Sequence, residues 1–560
     1  MLSEDSLLLA SSTRREALAL TTSGLIGVAL GSTAALAQND QIATSPRTSD
    51  FLLKAQAAKP QLTATKQRPL GLINPVADAT QQLGWRIEPA GNVDELERRV
   101  LNKGDHMIID FGGHRTGYIS FDLVGVGKNV DAPARLRLIF GEVVSDVAEP
   151  FHPYKGSLSE AWLPEEIVTI DYLPQRVSLP RRYAFRFVKV EVIATSWTFG
   201  VALRNVEAKA VTSARGALPP LPRAVPDDLK QIDVVAAATL RDCMQTVFED
   251  GPRRDQRLWT GDLRLQALTS YVSLRNDSLV KRCLYLLAAF PRSDGLLPGD
   301  VFELPRPSAA ADFPYDYSIL FAATLADYLD ATGDLATAND LWPTAVRQFE
   351  VLSSMFDAKG VVSIPKGVWV FIDWHFKLDR TAAMQGVYIF GLKRLADMAR
   401  KLGRLHEVGW LPQRVAQLER AAISAFHDPG LGLFVSGKDK QVSLASQAWM
   451  TLAGVGNRKM QARALRAALA DPAAIKPRTP YLNHYVVEAL FQAGCNREAV
   501  ALIRNYWGGM LEAGANTFWE AYSPETPRVA PYGDFHVNSF CHAWSCTPSY
   551  LFRRYGDQLL

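Results

Sequence analysis

Residues 249–262, EDGPRRDQRLWTGD, hold the densest set of groups able to do chemistry in this sequence. The carboxylates Glu249, Asp250, Asp255 and Asp262 alternate there with Arg253, Arg254, Arg257 and Trp259. Crowded carboxylates raise one another's pKa, so one can stay protonated near neutral pH while arginines keep others ionised. Such a pair is what splitting a glycosidic acetal needs. One carboxyl protonates the leaving oxygen, and the other activates water or attacks. The flat indole face beside them can stack on a sugar ring. For a charge run, a solvated, salt-bridged loop is the plainer alternative.

These residues must be positioned by helices. A helical pattern over 229–248 stops before Gly251-Pro252, and another begins near Asp262, so the cluster sits in a connection. Connections on a rigid scaffold are where chemistry is usually carried. The helical pattern continues to the C-terminus, with candidates at 262–274, 277–289, 316–332, 336–356, 381–402, 411–426, 445–454, 459–470, 481–493, 497–513 and 541–553. About a dozen helices without a fixed repeat period argue for a closed ring of hairpins rather than a solenoid. Asp316 opens one of them, as a helix cap or a sugar ligand.

Upstream the periodicity changes to two. Residues 107–111, 118–123, 135–142, 166–172, 183–193 and 201–211 alternate between breaks at Gly, Pro and Asp, which predicts an antiparallel β-sandwich over 86–212. Its role is either packing against the helical domain or binding sugar. Residues 213–228 are Pro-rich and read as a linker, and the polar 38–85 as a tether leading into the first domain. The barrel is placed at 229–560. Residues 1–37 read as an export signal: Arg14-Arg15, a short apolar run, then Ala35-Leu36-Ala37 as a cleavage pattern. The twin arginines point to the twin-arginine route and a periplasmic or secreted protein; an ordinary secretory signal is the alternative.

A chain of 560 residues is too long for one core, and 48% hydrophobic with 21% charged residues is ordinary for a soluble fold. A net charge of +3 calls for neither nucleic acid nor an anionic membrane. After the first 37 residues no segment is long and apolar enough to span a bilayer. Five cysteines form no disulfide framework and no zinc spacing, so buried thiols are expected, with Cys541 and Cys546 the one pairing to consider.

Asp250, Gly251-Pro252, Arg254-Asp255 and Trp259-Thr260-Gly261-Asp262 together resemble the signature of the family 78 α-L-rhamnosidases. Further along, Thr479-Pro480-Tyr481 opening a helix to Leu490, Phe518-Trp519-Glu520, and His542-Ala543-Trp544 followed by Pro548-Ser549-Tyr550-Leu551 resemble other elements of that family, in order. IDFGGHRTGYISFDL, LRLIFGEV and YAFRFVKVEV resemble the β-domain that precedes its barrel. The resemblance implies an (α/α)6 barrel, a six-hairpin toroid, acting on a rhamnose-containing glycan or glycoside without metal or organic cofactor. It makes Asp255 the general acid, where many members carry Glu, so the shorter side chain demands a closer approach to the glycosidic oxygen. It makes Glu520 the general base. The two carboxyls are expected roughly 6.5–9.5 Å apart, the spacing of an inverting enzyme. Asp250, Arg254 and Asp262 would bind hydroxyls or hold charges near Asp255, and Trp259, Trp374 and Trp544 would stack, with His542 lining the pocket. Asp373-Trp374 resembles the family's Gly-Asp-Trp segment, with Ile372 in place of the glycine; Asp373 would accept from a hydroxyl.

Rival readings are a six-hairpin glycosidase of other sugar specificity, a non-catalytic carbohydrate-binding relative, and a toroidal polysaccharide lyase. The acidic cluster argues against the polyanion a lyase takes.

Overall fold

The computed structural model describes residues 47–221 and 225–559. The export-signal reading of 1–37 lies outside the described residues.

The β-domain is built from strands β1 (Thr63–Gln67), β2 (Gly71–Ala77), β3 (Trp85–Gly91), β4 (His106–Gly127), β5 (Ala134–Gly141), β6 (Glu165–Ile170), β7 (Gln175–Ser178), β8 (Tyr183–Ala194) and β9 (Phe199–Thr212). All pairings are antiparallel, and β4 explains how they make two layers from one sheet. Its first half pairs with β2 and β8, and its second half with β9 and β7. Pairing with β2 ends at Asp110 and that with β9 starts at Gly117; between them the β8 register shifts and Gly112 takes φ 76°. A strand that changes layers at such an irregularity makes the corner of a sandwich. Met107, Ile109, Leu136 and Val190 from one side then share a core with Phe121, Val177 and Leu203 from the other.

The helical domain closes as six hairpins. Thr260–Val272, Tyr315–Thr332, Thr381–Leu402, Leu444–Leu452 and Pro480–Ala493 pack in succession as an inner ring. Pro548–Arg554 closes it, lying against Thr260–Val272 and reaching Glu488 through the Tyr550 hydroxyl at 3.1 Å. Asp227–Cys243, Asp277–Ala288, Leu335–Leu352, Leu411–Phe426, Arg458–Ala470 and Asn496–Ile503 pack outside them. The expected fold class, an antiparallel β-domain before a six-hairpin toroid, is the observed one.

Three details differ from expectation. Within 38–85, Thr48–Ala57 is a helix docked on Asp277–Ala288, with Phe51 and Ala55 buried and Lys54 Nζ 2.7 Å from Asp340, while β1 and β2 belong to the sheet. Two buried side chains in ten residues leave too faint a periodicity to see in the sequence. The expected 497–513 helix is interrupted by a π-turn at Arg504–Gly508. The expected 541–553 helix starts only at Pro548; before it Ala543–Ser545 makes a 3-10 turn, and His542 and Trp544 line the site.

Candidate active site

One end of the barrel holds a cavity of about 250 Å³ lined by residues from five parts of the chain. Residues 249–262 form its first wall. The loop is closed by a backbone pair, Asp250 N–H to the Arg257 carbonyl at 3.0 Å, and by Arg257 N–H to Asp250 Oδ1 at 3.1 Å. To close it, Asp255 and Gln256 take the left-handed φ of 58° and 53°. Non-glycine residues adopt this region only where the surroundings enforce it. Gln256 turns away from the cavity, its amide donating to the Pro252 carbonyl at 2.8 Å. The motif glycines are sites of close approach: a Cβ on Gly251 would strike Ser539 Oγ, and one on Gly261 the ring of Tyr317.

The second wall is C-terminal. Backbone bonds lace residues 518–520 to 537–543, His542 N–H to the Phe518 carbonyl at 2.9 Å and Glu520 N–H to that of Ser539 at 3.0 Å, and Ala543 N–H joins them to the motif through the Asp250 carbonyl at 2.7 Å. Glu520 is buried, ion-paired to Arg254 and accepting a hydrogen bond from the Tyr532 hydroxyl. The same Arg254 guanidinium lies 3.6 Å from Asp255, whose side chain keeps 19% exposure. It also donates through Nε to the Val537 carbonyl at 2.6 Å. One arginine therefore touches both of the carboxylates named as acid and base.

Between these walls lie Asp250, Asp262 and His542, all buried. Their polar atoms do not pair closely: His542 Nδ1 is 3.7 Å from Asp262 Oδ1, and Nε2 is 3.9 Å from Asp250 Oδ2. Among the described residues Asp262 Oδ1 and His542 Nδ1 have no hydrogen-bond partner. Burial, reinforced for Asp250 by Asp255 and Asp262 and for Asp262 by Glu520 and Asp255, pushes both aspartates well above the usual carboxylate range. Burial and the neighbouring Arg254 charge drive His542 well below its usual value, so it is neutral. Buried polar groups without partners are costly unless a ligand supplies the bonds.

Aromatic rings complete the wall. Trp259 meets Tyr317 and Trp369 edge-on, Trp544 stacks on Phe371 at 5.6 Å, and Trp374 abuts Phe371 and Tyr532. The strap carrying Trp369, Phe371 and Trp374 is held by Asp316, which accepts from Phe371 N–H at 2.9 Å and Ile372 N–H at 3.0 Å. Ile372 takes φ 54°, so the left-handed position survives where the family pattern has glycine. Asp316 is thus a backbone clamp.

Asp255, Glu520, Asp250, Arg254, Trp259, Asp262, Trp374, His542 and Trp544 all line the cavity. Asp373 does not. It accepts from Arg478 N–H, Thr479 N–H and the Thr479 hydroxyl at 2.9, 3.0 and 2.6 Å, anchoring the start of the helix Pro480–Ala493. Its expected hydroxyl-binding role is corrected: both oxygens are engaged in holding two segments of chain together. Sequence reasoning missed Trp369, Tyr317, Phe371, Arg257, Tyr532, Leu158 and Trp162. Trp369 and Phe371 lie in the same aromatic strap as Trp374. Leu158 and Trp162 come from the β-domain, which packs against the barrel and also reaches into the cavity. Among the described residues no group of three or more His, Cys, Asp or Glu is arranged to hold a metal ion.

Residues 69–210 match the model of the glycosyl hydrolase family 78 α-rhamnosidase N-terminal domain. Residues 225–555 match that of the bacterial α-L-rhamnosidase six-hairpin glycosidase domain. The chain belongs to glycoside hydrolase family 78. It is similar to a rhamnosidase from Klebsiella oxytoca whose structure has rhamnose bound, with 45% identity, a TM-score of 0.89, and coverage of 92% of this chain and 100% of that one. The family 78 rhamnosidase of Bacillus sp. GL1 shares the fold at 21% identity and a TM-score of 0.69, over 83% of this chain and 49% of that one. The Streptomyces avermitilis α-L-rhamnosidase complexed with L-rhamnose shares it at 16% identity and a TM-score of 0.62, over 84% and 46%. No curated protein sequence matches the chain. This family 78 member is a glycoside hydrolase acting on O-glycosyl bonds.

Proposed function

We propose that the enzyme is an exported, inverting α-L-rhamnosidase in which Asp255 is the general acid and Glu520 the general base. The observation that carries this is the pair of buried, unpartnered polar atoms of Asp262 and His542 on the floor of an aromatic pocket. A sugar's hydroxyls would satisfy them, and its apolar face would lie on an indole. A pocket of about 250 Å³ suits one monosaccharide, and the Klebsiella oxytoca relative was solved with rhamnose bound.

In this reading the glycone enters with its hydroxyls toward Asp250, Asp262 and His542. Asp255 delivers a proton to the glycosidic oxygen as the bond to the anomeric carbon breaks. Glu520 takes a proton from a water that attacks the opposite face in the same displacement. Arg254 holds Glu520, with help from Tyr532, and fixes the geometry of both groups.

A panel of aryl glycosides with proton NMR of the first product tests it. Fast hydrolysis of the α-L-rhamnoside with release of β-rhamnose is expected. A preferred sugar other than rhamnose would make it a six-hairpin glycosidase of another specificity, and a product of retained configuration would reassign Glu520 as nucleophile. Export by the twin-arginine route predicts that changing Arg14 and Arg15 to Lys strands the protein in the cytoplasm.

A further inference from the structure

Residues 151–163 belong to the β-domain, yet Leu158 and Trp162 line the substrate cavity. Phe151 and Leu163, at the ends of this segment, are buried in a small apolar core with Ile73, Ile139 and Phe187. Its middle is tied to the loop that carries Tyr532. Ser157 N–H donates to the Tyr532 carbonyl at 2.7 Å, and Lys155 N–H to Asp534 Oδ2 at 3.1 Å. The Tyr154 hydroxyl donates to the Leu158 carbonyl at 2.9 Å, and Ser159 caps the turn Glu160–Trp162. The segment is fixed at both ends and in the middle, so Trp162 is held in place before any ligand arrives.

The cavity is graded. Asp250, Asp262, His542, Glu520 and Trp544 are buried, whereas Leu158 and Trp162 are half-exposed, as are Asp255, Trp259, Trp369 and Trp374. The other cavity tryptophans, Trp259, Trp369, Trp374 and Trp544, pack edge or face against another ring. Trp162 has no such ring neighbour and no cation over it among the described residues. A free indole face at the mouth of a pocket whose floor takes the glycone points outward, to whatever the glycone is attached to.

We infer that residues 151–163 build the leaving-group subsite, with Trp162 stacking on a flat ring bonded to rhamnose and Leu158 flanking it. This rests on the rhamnosidase reading above. The shared chemistry of the occupant is a ring with one apolar face, which a second pyranose and an aromatic aglycone both offer. The β-domain thereby sets which glycosides are cleaved, while the barrel sets which sugar is released.

The test compares wild type with Trp162→Ala on three substrates: α-L-rhamnosyl fluoride, an aryl α-L-rhamnoside, and a rhamnosyl-glucose disaccharide. The fluoride's leaving group is a single atom and cannot touch Trp162. The expected result is unchanged kcat/KM on the fluoride and a fall of about tenfold on one or both ring-bearing substrates, the one affected identifying the occupant. Trp162→Phe, which keeps a flat face, should recover most of the loss, and Leu158→Ala should show the same split at smaller size. Equal losses on all three substrates, or none on any, would overturn the inference. So would a Phe variant as impaired as the Ala variant. Should Trp162→Ala not fold, the Phe and Leu158 variants carry the same comparison. A wild-type enzyme inactive on all three substrates would instead sink the rhamnosidase reading.

Discussion

Asp146 and Asp262 are equally buried carboxylates, one at the domain interface and one on the pocket floor. At the interface every charge has an opposite number. Arg253 forks onto Asp146 at 3.0 and 3.2 Å, His536 Nδ1 lies 3.4 Å from the same group, and His114 bridges Asp242 at 2.7 Å and Glu142 at 2.9 Å. Against the cost of burial, Arg253 and His536 hold Asp146 below its usual range. Cys541, Asp242 and Glu142 likewise push His114 up despite burial. On the pocket floor only backbone N–H groups oppose burial, and the neighbouring carboxylates add to it. Arg253 and Arg254 are adjacent in sequence, yet one locks the domains and the other holds Glu520. For these buried aspartates residue type does not separate the interface from the pocket floor; the presence or absence of an opposite charge does.

The largest effect should come from breaking the catalytic side. Glu520→Gln keeps the size of the side chain and an acceptor for Tyr532 but removes the base, and kcat is expected to fall by about 10²–10⁴-fold. Near-normal kcat with a folded protein would remove Glu520 from the chemistry.

Breaking the interface side should act on stability instead. Arg253→Ala leaves Asp146 buried and short of its principal partner, an arrangement that costs about 3–5 kcal/mol. Denaturant unfolding should show that loss, while the glycone KM of the surviving folded enzyme stays near wild type. A stable variant with poor KM would mean that Arg253 belongs to the site.

Much of this comparison was legible in advance, but not which arginine would do which job. The helices were readable because apolar spacing and caps such as Thr479 are local signals, and the ordered motifs placed nine cavity residues. The aromatic Trp162 was invisible as a site residue because only tertiary packing brings residues 151–163 to the barrel mouth. The cysteines are buried thiols as expected; only the neighbour of Cys541 could not be read from the sequence. All five are free and buried, and Cys541 meets Cys243 at 3.8 Å between sulfurs rather than Cys546.

Asp262→Asn should separate binding from stability. The folded state holds this carboxyl above its unfolded value, so its contribution to stability is present at low pH and lost as pH rises above the unfolded carboxylate range of about 4. An amide has no such proton to lose. The variant is therefore expected to melt higher than wild type at neutral pH, by a margin that shrinks toward pH 4, while KM rises. A lower melting temperature throughout would mean that Asp262 has a structural partner.

Asp373 should give the smallest effect and the sharpest boundary between the two classes. It neighbours the pocket residue Trp374 but is engaged by three donors from Arg478 and Thr479. Asp373→Ala leaves those buried donors unpaired, worth about 1–3 kcal/mol. Asp373→Asn keeps one acceptor oxygen. Burial outweighs the donors and moves the Asp373 carboxyl up to about 6, so its contribution to stability declines as pH rises from the unfolded value toward 6. Wild type should accordingly lose stability relative to the Asn variant between pH 4 and pH 6, with little further change by pH 7. Activity per folded molecule should hold in both variants. If kcat/KM falls well beyond the folded fraction while the melting temperature stays put, Asp373 reports to the substrate after all, and the presence of partners no longer divides the two regions.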